Sequence, residues 1–173
     1  VYKSHPKEKI PFCLITITCN SSGGQPVSLE NVKAVKELSD RYGIPIYFDS
    51  ARFAENAYFI KMREKGQENR TIKEIAKEVF SYGVGMTMSS KKDGLVNIGG
   101  FIALNDENIF RAASNFTIIY EGFITYGGMA GRDMAALAVG LNEATEFAYL
   151  ESRISQVKYL GNRLIEFGIP VQK

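Results

Sequence analysis

The feature that most constrains the fold is a strand, helix, strand order with short connections near the start of the chain. The run FCLITIT (12–18) is apolar and β-branched and ends in the turn-rich NSSGGQP (20–26), which predicts a buried strand followed by a loop. Ser28 is a favourable helix N-cap, Gly43 ends that helix, and IPIYF (44–48) is the next strand. Because such a crossover joins parallel strands, the order predicts an α/β fold with a mainly parallel sheet and flanking helices.

The rest of the chain continues with further helices and two short strands. In the first helix, one face is expected to carry Val32, Val35, Leu38 and Ser39. Thr71 and Glu74 form a capping box at the start of a later helix. The remaining predicted elements are a helix near 54–64, a strand at 85–88 with a return strand at 99–104, and helices at 106–114, 126–150 and 151–167.

Composition and charge exclude several classes of protein. In 173 residues, 45% hydrophobic content fits a folded globular domain, and 21 basic against 19 acidic residues give a net charge of only +2. These charges are scattered, so we expect no nucleic-acid partner. No apolar stretch approaches the roughly 18 residues of a membrane span, so we expect a cytoplasmic protein with no membrane association. Cys13 and Cys19 lie about 20 Å apart along one extended run, too far apart for a disulfide.

Polar residues cluster after the predicted strands, at the edge where parallel α/β sheets bind ligands. A carboxylate at Asp49 could accept a hydrogen bond from a protonated ring nitrogen, and a lysine from the Lys91-Lys92 pair could form a Schiff base with pyridoxal phosphate (PLP). The spacing alone does not choose between the two lysines. The same residues also fit purely structural roles: Asp49 as a helix or turn cap, the lysines and Ser89 as a solvated turn, and Arg52 as a surface ion-pair partner.

Four longer strings make a family resemblance specific. TITCNSSGGQPVS (16–28), FDSARFAENAYFIK (48–61), MSSKKDGLVNIGGF (88–101) and YEGFITYGGMAGRDM (120–134) resemble the β-eliminating lyases, the PLP-dependent family that includes tryptophanases and tyrosine phenol-lyases. The resemblance implies a fold-type-I, PLP-dependent transferase-like large domain, present in part. Residues 1–145 would be the central part of that domain, and residues 146–173 a long helix leading toward a small domain.

The resemblance also assigns roles around the cofactor ring. The second lysine of the pair holds PLP in this family, which favours Lys92 over Lys91. The aspartate of the Asp-x-x-Arg motif pairs with the pyridine nitrogen, which points to Asp49. The arginine of that motif and the asparagine before the Gly-Gly-Gln-Pro turn approach the phenolic oxygen, which points to Arg52 and Asn20.

Further roles concern the phosphate, an activating cation and assembly. The serine three residues before the PLP lysine, here Ser89, helps to bind the phosphate, and Lys91 would lie near the phosphate and a water molecule. Potassium or ammonium activates family members, and one ligand is a backbone carbonyl that corresponds to Asn97. The resemblance further implies a homotetramer whose sites use residues from neighbouring subunits.

The expected reaction is cleavage of L-tryptophan to indole, pyruvate and ammonium. Residues 18–21 and 50–53 favour a tryptophanase, whereas residues 97–100 and 131–133 look equally like a tyrosine phenol-lyase. The family's phosphate-cradling loop and cation-binding glutamate lie upstream of this stretch and its carboxylate-binding arginine lies downstream, so we expect a fragment with an incomplete site. Two different functions are compatible with the same residues, namely a PLP-dependent transferase of the same fold and a noncatalytic structural piece.

Overall fold

The computed structural model describes residues 10–171, which form one four-stranded sheet and six helices. A short 3-10 turn at Asn20–Ser22 precedes the first helix. The elements, in chain order, are β1 (Cys13–Thr16), α1 (Leu29–Tyr42), β2 (Ile46–Asp49), α2 (Phe53–Arg63), α3 (Ile72–Ser81), β3 (Gly85–Ser89), β4 (Gly100–Leu104), α4 (Glu107–Tyr120), α5 (Gly131–Glu143) and α6 (Phe147–Glu166).

The strands lie in the order β1-β2-β3-β4, and the first three are parallel. Asp49 pairs with Thr16 on one side and with Thr87 on the other, so the carboxyl ends of β1, β2 and β3 meet at one edge. β4 returns antiparallel to β3 and pairs Gly100 with Ser89. The predicted α/β class, mainly parallel sheet and β3–β4 hairpin are therefore confirmed.

The predicted helix ends are confirmed at several positions. The Ser28 side chain accepts a hydrogen bond from the backbone N–H of Asn31, and Gly43 ends α1 in the left-handed conformation, with φ 61°. Thr71 and Glu74 form the reciprocal capping box at the start of α3. These contacts satisfy backbone groups that helix ends leave without intrahelical partners.

The core lies where the sheet packs together with α1, α2, α3 and α6. Phe48 on β2 is fully buried and packs edge-on against the ring of Phe80 at the end of α3. α2 packs against both α3 and α6. The best-buried apolar side chains of this core include Ile17, Leu29, Val32, Ile46, Ile60, Ile72, Ile75, Val79 and Leu150.

Two predictions of burial were wrong. Leu38 is 50% exposed, because the buried stripe of α1 runs through Leu29, Val32 and Ser39 and leaves Leu38 beside it. β1 is not buried on both faces: Leu14 is 53% exposed, while its neighbours in the strand pack toward the core. Strand side chains alternate between faces, and among residues 10–171 only the face of β1 that carries Cys13 and Ile15 packs on the core.

The predicted boundaries of the last three helices were also wrong. α4 continues to Tyr120 instead of ending at 114, and the helix predicted over 126–150 is α5, followed by a break and the start of α6 at Phe147. Gly127 and Gly128 have positive φ, which keeps the segment before α5 out of a helix. The break lies at the predicted division between residues 145 and 146, and the assignment of the two sides to different domains stays a prediction.

Two further sequence expectations concern the membrane and the cysteines. Within residues 10–171, no helix combines the length and the apolarity that crossing a bilayer requires. Cys13 and Cys19 are both free thiols, as expected from their separation along the chain.

Candidate active site

A cavity of about 200 Å³ lies at the shared carboxyl edge of β1, β2 and β3. Five of the seven predicted site residues line it, namely Asn20, Asp49, Arg52, Ser89 and Lys92. The rest of the lining comes from Thr16, Ile17, Thr18 and Ala51. The structure therefore brings together polar groups from three separate stretches of the chain, at the position where parallel sheets bind ligands.

Asp49 is held in place by the strands on both sides of it. It is the last residue of β2, and its backbone carbonyl accepts a hydrogen bond from the N–H of Ile17 at 2.8 Å. The next residue, Ser50, is fully buried and donates its hydroxyl to the carbonyl of Thr87 at 2.8 Å. The backbone that carries the half-buried Asp49 side chain is thus fixed to β1 and β3 together.

Arg52 occupies the N-cap position of α2, although its side chain does not cap the helix. The hydroxyl of buried Thr18 lies 3.5 Å from the backbone carbonyl of Arg52 and donates to it. Thr18 therefore ties the segment after β1 to the start of α2. Sequence reasoning did not single out Thr18, because nothing local in the chain links it to a residue 34 positions away.

The two adjacent lysines occupy different environments. Lys92 is half-buried, lines the cavity and donates a hydrogen bond from Nζ to Oγ of Ser89 at 3.1 Å. Lys91 is exposed and lies outside the cavity lining, as does exposed Asn97 in the connection from β3 to β4. The structure thus groups Lys92 with Ser89 and leaves Lys91 and Asn97 apart from them.

The residue next to Lys92, Asp93, supplies the cap that α2 requires. Asp93 is only 3% exposed, and its Oδ2 accepts hydrogen bonds from the backbone N–H groups of Ala54 at 2.8 Å and Glu55 at 3.2 Å. Its own N–H donates to the carbonyl of Ala51 at 3.1 Å. The capping role considered for Asp49 therefore belongs to Asp93 at this helix. Capping rules applied along the sequence missed it, because helix and cap lie 39 residues apart.

Burial gives the Asp93 carboxyl an unusual affinity for protons. Burial and the nearby Glu55 carboxylate raise the pKa of Asp93 from 3.8 to about 6, against the opposing effect of the two backbone N–H donors and of Arg153. Arg153 on α6 pairs with Glu55 at 2.7 Å and donates to the Tyr149 hydroxyl at 3.1 Å. The Asp93 carboxyl is therefore influenced by the Glu55 carboxylate on α2 and by the Arg153 guanidinium on α6.

Residues 90–95, which carry Lys92, form a segment that we call the lysine loop, and α5 packs against this loop at Gly94. A Cβ on Gly140 would lie 2.0 Å from the carbonyl oxygen of Gly94, so the two backbones meet with no room for a side chain. Leu95 has a φ of 55°, a conformation that costs energy for a residue with a side chain. Within residues 10–171, the buried Oγ of Ser90 has no hydrogen-bond partner.

A larger groove of about 610 Å³ lies between α1 and the end of α2, but none of the predicted site residues lines it. Its lining alternates acids and bases such as Glu30, Lys33, Arg63 and Glu64. The chemically diverse groups lie instead around the smaller cavity, so we take that cavity as the site. Over residues 10–171, no group of three or more His, Cys, Asp or Glu side chains is arranged to hold a metal ion.

Comparisons with known proteins match nearly the whole chain. The family model described as beta-eliminating lyase matches residues 2–173. A Trichomonas vaginalis protein named "Probable beta-eliminating lyase" is 64% identical over 96% of this chain. A tyrosine phenol-lyase of Lacrimispora saccharolytica is 54% identical over 96% of the chain, and a tryptophanase of Salinibacter ruber is 53% identical over 96%.

The chain spans only part of these curated relatives. It covers 36% of the Trichomonas and Lacrimispora proteins and 35% of the Salinibacter protein. Among solved structures, a crystal structure assigned as an L-allo-threonine aldolase from Listeria monocytogenes superposes with a TM-score of 0.65 at 18% identity. The superposition covers 88% of this chain and 38% of that one. This likeness and the family match confirm the expected fold-type-I architecture, present as a partial domain.

Proposed function

The chain belongs to the beta-eliminating lyase family, and we propose from this that its cavity is part of a PLP site at which an aromatic L-amino acid is cleaved by β-elimination. The observation that carries the proposal is the meeting of an amine, a carboxylate, a guanidinium and a hydroxyl at one cavity beyond the carboxyl ends of parallel strands. Family membership supports dependence on PLP.

The residues around the cavity fit PLP chemically. Covalent attachment requires an amine, the ring nitrogen requires an acceptor, and the phosphate requires hydrogen-bond donors; Lys92, Asp49 and Ser89 offer these groups. At about 200 Å³ the cavity is smaller than the roughly 300–1,000 Å³ of small-molecule sites. We therefore propose that segments beyond residues 10–171 complete the walls.

Lys92 has two roles in this proposal. Its Nζ would hold the cofactor covalently and, once released from it, would remove the proton from the α-carbon of the amino acid. The hydroxyl of Ser89, 3.1 Å from that nitrogen, would orient the amine and also donate to the phosphate. When bound, PLP supplies an electron-withdrawing ring that stabilises the negative charge developing at the α-carbon.

Asp49 and Arg52 would form hydrogen bonds to the pyridine ring of the cofactor. The Asp49 carboxylate would accept a hydrogen bond from the protonated ring nitrogen, a charge-assisted bond worth roughly 1.5–3 kcal/mol. The guanidinium of Arg52 and the side-chain amide of Asn20, which also line the cavity, would donate to the phenolic oxygen. Because the backbone of Asp49 is fixed to β1 and β3, its carboxylate would need little reorganisation to reach the ring.

Other expected roles concern residues outside the cavity lining. We keep Lys91 as a neighbour of the phosphate and of a water molecule, and the carbonyl of Asn97 as one ligand of an activating potassium or ammonium ion. Both residues are exposed among residues 10–171, so these roles need groups from elsewhere in the protein or from a neighbouring subunit. A homotetramer with shared sites stays part of the proposal.

Replacement of each lysine in turn tests the attachment site. In the intact protein, Lys92→Ala should abolish borohydride-trapped PLP and product formation, because no other amine lines the cavity within residues 10–171. Lys91→Ala should still trap the cofactor on the peptide that contains Lys92. Normal product formation by Lys92→Ala, or label on Lys91 in the unaltered protein, would refute the assignment.

The substrate we propose is L-tryptophan, released as indole, pyruvate and ammonium. L-tyrosine is a second candidate, because relatives named tyrosine phenol-lyase are as similar to this chain as the one named tryptophanase, at 54% and 53% identity. Measurement of indole and phenol release by the intact protein decides between them. Pyruvate with phenol alone would overturn the tryptophan assignment, and amino transfer to a keto acid without pyruvate would overturn β-elimination itself.

A further inference from the structure

Asp93 connects the two sides of the cavity through its buried carboxylate and its backbone N–H. It follows Lys92 directly in the chain, and it bonds to the segment 51–55 at three points, through Ala51, Ala54 and Glu55. That segment contains Arg52, which lines the same cavity as Lys92. The contacts of Asp93 therefore join the segment that carries Lys92 to the segment that carries Arg52.

We propose that Asp93 is a positioning residue, which holds the lysine loop on the first turn of α2 and so places Lys92 for attachment of the cofactor. The inference rests on the proposed function. It assigns Asp93 no contact with substrate or cofactor, since Asp93 is absent from the cavity lining.

Two other contacts of the lysine loop lie nearer its ends than the Asp93 carboxylate does. Ser90 donates its N–H to the carbonyl of Gly99 at 3.0 Å, which ties the start of the loop to the hairpin. Gly94, near the end of the loop, meets Gly140 on α5. Loss of the Asp93 side chain would thus leave the middle of the loop with one hydrogen bond to segment 51–55, from the Asp93 backbone N–H to the carbonyl of Ala51, while the ends of the loop stay attached.

The first turn of α2 would lose its partner at the same time. The N–H groups of Ala54 and Glu55 belong to the set that an α-helix cannot satisfy internally, and Asp93 satisfies both. Asparagine keeps an oxygen at the same reach and can accept the same hydrogen bonds without charge. Alanine removes the acceptor, so the pair of substitutions separates the hydrogen bonds from the charge.

One test needs no cofactor. Residue-resolved hydrogen exchange on the intact apo protein should show the Ala54 and Glu55 amides exchanging about tenfold faster or more in Asp93→Ala than in the unaltered protein. In Asp93→Asn the rates should stay within about threefold. The matched control is Asp106→Ala, which removes another aspartate cap, the one that accepts from the N–H of Ile109 on α4, and should leave the α2 amides unchanged.

The second test measures the position of Lys92 directly. The rate at which added PLP becomes trapped on Lys92 by borohydride should fall about tenfold or more in Asp93→Ala, equivalent to about 1.4 kcal/mol. It should return to within about threefold of normal in Asp93→Asn, and Asp106→Ala should label normally. Should Asp93→Ala fail to fold, Asp93→Glu takes its place, because its longer side chain displaces the loop while keeping the charge; slower labelling is again expected.

The two tests distinguish a failure of the positioning role of Asp93 from a failure of the proposed function. Normal labelling and normal exchange in Asp93→Ala would overturn the positioning role alone, and so would Asp93→Asn behaving like Asp93→Ala. Absence of label on Lys92 in the unaltered protein would instead overturn the proposed function, and the positioning role together with it.

Discussion

Replacement of Asp93 with asparagine is expected to change how the stability of the protein depends on pH. The group concerned is a carboxyl only 3% exposed, which faces Glu55 on α2 and Arg153 on α6. Burial, together with the Glu55 carboxylate, raises its pKa to about 6 in the folded protein. In the unfolded chain the same carboxyl returns to the ordinary value of 3.8.

The sign of the effect follows from which state holds the proton more tightly. A raised pKa means that the folded state binds the proton more tightly, so the contribution of Asp93 to stability is fully present below pH 3.8 and is lost as the pH rises through about 6. A difference of about two pKa units corresponds to about 3 kcal/mol, of which about 2 kcal/mol disappears between pH 4 and pH 7. Asparagine has no proton to exchange and lacks this dependence.

Urea unfolding of the intact apo protein at several values between pH 4 and pH 7 measures the effect. The free energy of unfolding of the unaltered protein minus that of Asp93→Asn should fall by about 2 kcal/mol across this range. Asp106→Asn, in which the altered cap is exposed, should run parallel to the unaltered protein. If the difference in the free energy of unfolding does not change with pH, or grows as the pH rises, Asp93 does not carry a raised pKa in the folded protein. That result would refute the predicted pH dependence.

Three further predictions concern packing and caps, and all are measured as urea midpoints of the apo protein. Gly140→Ala should destabilise the protein by about 1–3 kcal/mol, because the new Cβ would strike the Gly94 carbonyl. Gly161→Ala on α6, where the new Cβ would face open space, should be neutral or stabilising. Equal midpoints for the two variants would contradict the close approach of Gly140 to Gly94. Ser90→Ala should stabilise by about 1 kcal/mol, since it removes a buried hydroxyl without a partner among residues 10–171, and a clear loss of stability would show that the hydroxyl is bonded. Ser28→Ala should cost about 1 kcal/mol through loss of the α1 cap, and an unchanged midpoint would contradict that role.

Much of the fold could be predicted because its signals are local. Ser28, Gly43 and the Thr71–Glu74 box mark helix ends within a few residues of chain. The parallel arrangement of β1 and β2 followed from the helix between them. The helix predicted over 126–150 ran through the break before Phe147, because Leu141, Ala144 and Phe147 recur at helical spacing and periodicity does not mark the break; the division at 145/146 followed from the family resemblance.

The candidate site was predictable in its strand-end residues, because each parallel strand ends at the same edge. The spacing of residues could not choose between Lys91 and Lys92, because the direction of each side chain depends on how the loop folds. Asp93 escaped prediction for a related reason: the amides that it caps, those of Ala54 and Glu55, are 39 and 38 residues earlier, and no local pattern joins them. Long-range capping becomes visible only when the backbone path of both segments is known.

The attachment of the lysine loop at several points has a consequence for protein engineering. A designer who transplants residues 90–95 into another scaffold would carry the Lys92 amine but none of the contacts that hold the loop in place. The recipient would also need a helix whose first N–H groups face Asp93 and a glycine in the place of Gly140, where the two backbones touch. It would further need a backbone carbonyl in the place of that of Gly99, to accept from the N–H of Ser90. The smallest unit that could be transferred is therefore the lysine loop together with the start of α2, the Gly140 region of α5 and the β3–β4 hairpin.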